Sequence, residues 1–231
     1  MIEAVSWMQA ATERLKQHFG ERLLFVGLQG SHRRNEARED SDIDILTVLD
    51  VLNVSDLAEY RRILDSLPEG EKAHGFTCGH RELLAWPRYE LFQLCQETDN
   101  YHGNLKALMP DFDGQDIEAG TRIGAANLYH ATAHIYIASD SASRCDELKP
   151  VFKAFFFAMQ MVYYMRHNTY IRNKRDLLPL LTGDEYTMLR LGMDEALFEE
   201  LRKNEPDNLF QLLLQWCSQV LQEDFGKHYT I

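Results

Sequence analysis

The chain is 231 residues long, with 36 acidic against 24 basic side chains and a formal net charge of −12 at pH 7. That balance argues against a sequence-neutral nucleic-acid binder, because each phosphate contact on a polyanion wants a Lys or Arg to displace a counterion. Hydrophobic residues make up 45% and charged ones 26%, too apolar for a disordered chain, and the length allows one large domain or two small ones. Residues 4–18 set Val5, Met8, Ala11 or Thr12, and Leu15 at helical spacing, with Phe19-Gly20 as the stop, so a helix precedes the first strand. Residues 22–28 (RLLFVGL) form an apolar run of strand length. The Gly30-Ser31 turn, a polar stretch HRRNEARED and a second strand over 42–49 (DIDILTVL) follow.

Ser55 reads as the N-cap of a helix ending near Leu67-Pro68, residues 72–79 as a strand, and residues 80–86 as one or two helical turns. Residues 89–99 (YELFQLCQETD) fit either a strand or a helix, and strand is favoured, with Pro87 before it and a turn-like Asp99-Asn100 at its end. After about residue 113 strand-like runs stop and helices are expected near 115–139, 146–168, 184–192, 194–203 and 206–223, broken at 139–143, Pro179 and Pro206. The predicted fold class is α+β: an α/β sheet domain over 1–113 followed by an all-α helical bundle over 114–231.

No run reaches the roughly 18 apolar residues of a membrane span. The longest, 151–165, is interrupted by Lys153 and Gln160 and predicts a buried helix; Phe152, Phe155, Phe156, Phe157, Tyr163 and Tyr164 read as its core face. The N-terminus carries Glu3 early and lacks a basic segment followed by a small-residue cleavage site, so a cytoplasmic location is expected. Cys78, Cys95, Cys145 and Cys217 have no CxxC spacing and read as reduced core thiols. His130 and His134 share a helical face at a spacing that can hold zinc, but no third ligand is evident and packing or surface is the expected role.

The chemistry concentrates between residues 30 and 44. On a strand, residues two apart share a face, so Asp42 and Asp44 project together while Ile43 and Ile45 turn to a core. Adjacent carboxylates repel unless a cation sits between them, and hard oxygen ligands of this kind suit magnesium bound with substrate phosphates. The Gly30-Ser31 turn complements this, because glycine lets the backbone approach a phosphate closely and a helix starting at Ser31 offers free amides and a positive dipole end. Five of the ten residues from Glu36 to Ile45 are acidic, which alone would suit a solvated loop. A solvated loop, however, gives no reason for Asp-Ile-Asp to open an Ile-Leu-Val strand after a Gly-Ser turn.

The segment GSHRRNEAREDSDIDI resembles the Gly-Ser and Asp-x-Asp signature of the nucleotidyltransferase superfamily, with the DNA polymerase β-like fold, over roughly residues 22–50. Many bacterial members carry a glycine in the spacer where this chain has Asn35, the commonest non-glycine visitor to left-handed backbone. The resemblance implies ATP-binding and an NTP-dependent transferase releasing pyrophosphate: Asp42 and Asp44 bind magnesium, Gly30 and Ser31 hold phosphates, and a hydroxyl attacks the α-phosphorus. Arg33, Arg34 and Arg38 lie close by, and Arg34 is the candidate for a phosphate contact.

Members usually place a third carboxylate on a later, neighbouring strand. Over 89–99, Gln93 occupies the middle of the strand, and an amide serves neither as base nor as strong magnesium ligand. Glu97 shares its face and is the expected acid; otherwise it caps the strand and the site is weakened. Arg166, Arg172, Lys174 and Arg175 form a basic cluster in the helical half, which is similar to that of two-domain antibiotic nucleotidyltransferases, and Lys174 is the candidate to reach the triphosphate. The expected partners are a nucleoside triphosphate, ATP first, and a small-molecule or protein acceptor, with no long nucleic acid or membrane and with a homodimer compatible. The expected function is transfer of a nucleoside monophosphate, AMP first, to a hydroxyl. The competing function is an antitoxin-like or nucleotide-binding module acting through protein partners.

Overall fold

A computed structural model describes residues 3–141 and 143–226. Helix α1 (Ala4–Phe19) starts where the Ser6 amide donates to the Glu3 carboxylate at 2.9 Å, and buries Trp7, Met8, Ala11, Thr12, Leu15 and Phe19. Val5, expected in that stripe, is exposed instead. Strand β1 (Leu23–Gln29), the single turn α2 (Gly30–Arg33) and strand β2 (Ile43–Leu49) follow, as the spacing predicts. Helix α3 (Val54–Asp65) is capped by Asn53 rather than Ser55, because the Asn53 amide and the Asp56 carboxylate form a capping box at 2.9 Å.

The strand expected over 72–79 is two short pieces, β3 (Ala73–His74) and β4 (Thr77–Gly79). Gly75, at φ 128°, separates them; its backbone passes so near Ile45 that a Cβ would lie 2.3 Å from that carbonyl oxygen. After α4 (His80–Leu84), residues Arg88–Gln96 form helix α5, correcting the strand expected over 89–99. The adjacent residues Leu91 and Phe92 are both buried, which a helix face allows and an exposed-edge strand does not. The strand lies further on, as β5 (Asp99–His102), before α6 (Leu105–Leu108).

The sheet order is β3-β2-β1-β5, with β4 also pairing β2. β1 runs antiparallel to β2 and β5, whereas β3 and β4 run parallel to β2 through the α3 crossover. On one side, Ile43, Ile45 and Leu49 share a buried cluster with Met8, Leu15, Ile63 and Leu64. On the other, Leu46 and Val48 join Leu83, Leu91 and Leu105. β2 is therefore covered on both faces except at its beginning, where the aspartates stand.

The chain divides into two compact units, Met1–Phe112 and Asp113–Ile231. The second is helical: α7 (Gly114–Ala138), α8 (Arg144–Glu147), α9 (Lys149–His167), α10 (Lys174–Leu177), α11 (Gly183–Leu191), α12 (Glu195–Asn204) and α13 (Pro206–Gln222). Phe152, Phe155 and Phe156 fill its core with Leu128, Leu189, Leu213 and Trp216, while Phe157 is exposed and Tyr163 and Tyr164 are half-buried. Arg166 is held by Glu185 and Glu223, each at 2.8 Å, so this member of the basic cluster ties the bundle together. No described helix is long and apolar enough to cross a membrane. Burial pushes the Cys78 thiol up to about 11 and the Cys217 thiol up to about 12.

Candidate active site

Antiparallel pairing sets Gln29, the last residue of β1, opposite Asp44, and the chain then turns at once into α2. The turn is possible because Gly30 adopts φ 70°. It also leaves room for a side chain from the next strand: a Cβ on Gly30 would lie 1.7 Å from Asp44 Oδ2. The glycine and the second aspartate of the signature are thus one steric unit. At four residues, α2 is too short for the dipole expected of a helix beginning at Ser31, since the macrodipole is a sum over aligned peptides. Any anion contact there falls to individual amides and the Ser31 hydroxyl.

The spacer returns the chain to β2 through local bonds. The Glu36 amide donates to Ser31 O at 2.9 Å, and the Arg38 amide donates to Ser41 Oγ at 2.8 Å. Asn35 sits at φ 56°, the left-handed geometry its residue type predicts.

Asp42, just before β2, is exposed, and Asp44, the second residue of the strand, is half-buried. Burial pushes the Asp44 carboxyl up; Arg34 pulls it down, the charge of Asp42 pushes it up again, and His74 and His32 pull it down. A half-buried carboxylate whose ionisation is opposed by burial, in a cradle that a Cβ at residue 30 would fill and with the exposed Asp42 nearby, fits a hard divalent cation. Among the described residues no three His, Cys, Asp or Glu side chains stand gathered as a ready-made cage, so a cation held by these two carboxylates would need further oxygen donors.

Glu97, expected as the third acid on a strand, closes the C-terminus of α5 instead. Its Oε2 lies 3.3 Å from Arg33 Nη1 and 3.1 Å from Arg34 Nη1, and its side chain is only 10% exposed. Arg33 is buried, also pairs with Asp99 at 3.2 Å, and donates to the Gln96 carbonyl. Arg34 pairs with Glu36 at 3.3 Å. Glu97 therefore joins the site through Arg34, anchoring the arginines that follow the Gly-Ser turn. Changing Glu97 to Gln removes the shared counter-ion of two buried guanidinium groups, and urea unfolding is expected to show a loss of about 2–3 kcal/mol. A metal-binding acid would instead give an inactive variant of unchanged stability. Lys174 belongs to the second unit, where its Nζ lies 4.9 Å from the Phe156 ring centroid.

The structure also supplies two groups that the residue pattern did not single out. His74 on β3 is directly paired with Asp44 in the parallel register, and its Nε2 lies 3.8 Å from Asp42 Oδ1. His32, in α2, has its Nε2 shielded from solvent with no hydrogen-bond partner among the described residues. The signal for His74 was the strand-helix-strand order of β2, α3 and β3, since such a crossover sets two strands parallel and brings their beginnings together.

Comparison with known proteins bears on this arrangement. A family model described as nucleotidyltransferase domain matches residues 9–74, from α1 through His74, and leaves Glu97 outside. No curated protein matches the chain in sequence. Among solved structures, spectinomycin adenyltransferase AAD(9) from Enterococcus faecialis, with ATP and spectinomycin, has a similar fold at a TM-score of 0.56 and 14% identity. The match covers 95% of this chain and 99% of that one. With its Gly-Ser turn locked against Asp44 inside residues 9–74, the first of the two units carries a nucleotidyltransferase domain.

Proposed function

We propose that the chain is a magnesium-dependent nucleotidyltransferase that moves a nucleoside monophosphate, AMP from ATP in the first instance, to a hydroxyl on a small molecule or a protein, and works in the cytoplasm. The observation that carries this reading is the pairing of Gly30 with Asp44: the turn leaves open the space the carboxylate occupies, and Asp42 adds a second carboxylate beside it. The solved neighbour, described with ATP and spectinomycin, supports ATP as donor and a small molecule as acceptor class.

Asp42 and Asp44 would hold the cation, which when bound offsets phosphate charge and assists departure of pyrophosphate. Ser31 and the amides of the turn orient the phosphates, and Arg34, fixed in place by Glu97 and Glu36, presents positive charge beside Asp44. Positioning and charge compensation of this kind supply most of the catalysis in phosphoryl chemistry. The net charge of −12 favours a cationic acceptor of the aminoglycoside type, drawn by long-range attraction. The test is incubation with α-labelled ATP, magnesium and a panel of aminoglycoside, spectinomycin-like and protein acceptors. Label transfer with matching pyrophosphate release supports the reading. Nucleotide binding with no transfer to any acceptor would favour a nucleotide-binding module.

A further inference from the structure

A cavity of about 600 Å³ opens in the first unit where the start of α1 meets the ends of β1 and β5 and the segment after the Gly-Ser turn. Gly30, Ser31, Asp42 and Asp44 take no part in its lining, so a ligand held there is separate from the carboxylates and the turn assigned to the nucleotide. The charges it exposes are negative: Glu3, which caps α1, is exposed, and the Asp99 side chain is 43% exposed. The guanidinium in the wall, that of Arg33, is 1% exposed and already faces Glu97 at 3.3 Å and Asp99 at 3.2 Å, so it has no charge to offer an anion. Burial pushes the Tyr101 hydroxyl up, and the charges of Asp99 and Glu3 push it further, so both carboxylates act on one point of the wall.

Val5, Leu28 and the Tyr101 ring supply apolar surface in the same cavity. Methylene groups pack on such a surface, and an aromatic ring also attracts an ammonium group. A neutral apolar ligand would strip water from both carboxylates without replacing their partners, and an anion would face two like charges. The Glu3 carboxylate accepts the Ser6 amide at 2.9 Å, and a carboxylate with about four lone-pair sites has others to spare. We infer that this cavity binds a short aliphatic diamine, its two ammonium groups held by Glu3 and Asp99 and its methylene chain lying against Val5, Leu28 and Tyr101.

The experiment titrates putrescine into the full chain in about 0.15 M NaCl, where diffuse attraction by the net charge of −12 is screened beyond about 8 Å. Calorimetry reads the affinity, and amide chemical shifts in the ¹⁵N-labelled protein read the place. Binding is expected to saturate at one site, with shifts concentrated at Val5, Leu28 and Tyr101. n-Butylamine, of the same length with a single ammonium group, is expected to bind about tenfold more weakly. Glu3→Gln keeps an oxygen for the Ser6 amide and removes the charge, so putrescine affinity is expected to fall about tenfold. Glu21→Gln/Glu71→Gln, which alters two exposed acids outside the lining, is expected to change nothing. Titration without saturation, shifts spread over the acidic surface, butylamine binding as tightly as putrescine, or equal effects of the two acid variants would overturn the inference.

Discussion

Asp44→Asn is expected to lower nucleotidyl transfer by more than about 100-fold while leaving the metal-free protein at least as stable as the wild type. The first half follows from removing a charged oxygen donor where even outer-shell partners of a metal site cost about 10–100-fold. The second follows from electrostatics. Burial, together with the charge of Asp42, raises the Asp44 carboxyl above the ordinary carboxylate value of about 3.9. Below that value Asp44 is protonated both folded and unfolded and contributes nothing to a pH dependence. As pH rises through the folded-state value, the unfolded chain has already released its proton and the folded chain has not, so stability falls. Asn never ionises and escapes that loss. Thermal unfolding in chelator should therefore show the variant's advantage at neutral pH, shrinking as pH falls towards about 4 and gone below it. A variant that is active, or that is less stable without metal at neutral pH, would contradict the geometry described for this carboxylate.

Gly30→Ala should produce a comparable loss of activity by a steric route. Alanine at φ 70° costs about 1–2 kcal/mol of backbone energy. The added methyl also claims the space of Asp44 Oδ2, 1.7 Å away, so the carboxylate must rotate out of the cradle. The two contributions separate with a control: at Gly183, with φ 57°, an added Cβ would meet nothing within 4 Å, so Gly183→Ala carries the backbone cost alone. Unfolding by heat should place both variants slightly below wild type, with Gly30→Ala the lower. Transfer activity should fall only for Gly30→Ala, and full activity in that variant would separate the glycine from the aspartate.

How far the sequence revealed this site differs along the chain. The β1-turn-β2 segment was legible because each signal is local: an apolar run, a glycine at the turn, alternation that turns Ile43 and Ile45 inward, and an asparagine suited to left-handed backbone. The helical half was legible because its apolar periodicity is long and its breaks coincide with Pro206 and the polar stretch at 139–143. Residues 89–99 misled, since Pro87 before an apolar run reads equally as strand entry or helix start, and the short run does not separate the two periods. The strand nearby, β5, is Asp-Asn-Tyr-His, which opens on two residue types depleted in strands and pairs with β1.

The expectation of a third acid at Glu97 has the same origin. It presumed a strand where the chain forms α5, while the strand beside the start of β2 on the side away from β1 is β3, where His74 stands opposite Asp44. Which side chain faces Asp44 depends on parallel pairing across the crossover of residues 50–72, and no local periodicity carries that register. The buried salt bridges of Arg33 and Arg34 were equally invisible, because they join residues more than 60 positions apart.

Asp42 and Asp44, backed by the Gly30 turn, should make triphosphate binding depend on a divalent cation. Calorimetric titration of the full chain with a non-hydrolysable ATP analogue, with magnesium and then with chelator, measures that dependence. Binding is expected in magnesium, with loss in chelator and loss in the Asp42→Asn/Asp44→Asn variant. Equal binding with and without the cation, together with an unaffected double variant, would show that these carboxylates do not hold the metal through which the phosphates bind.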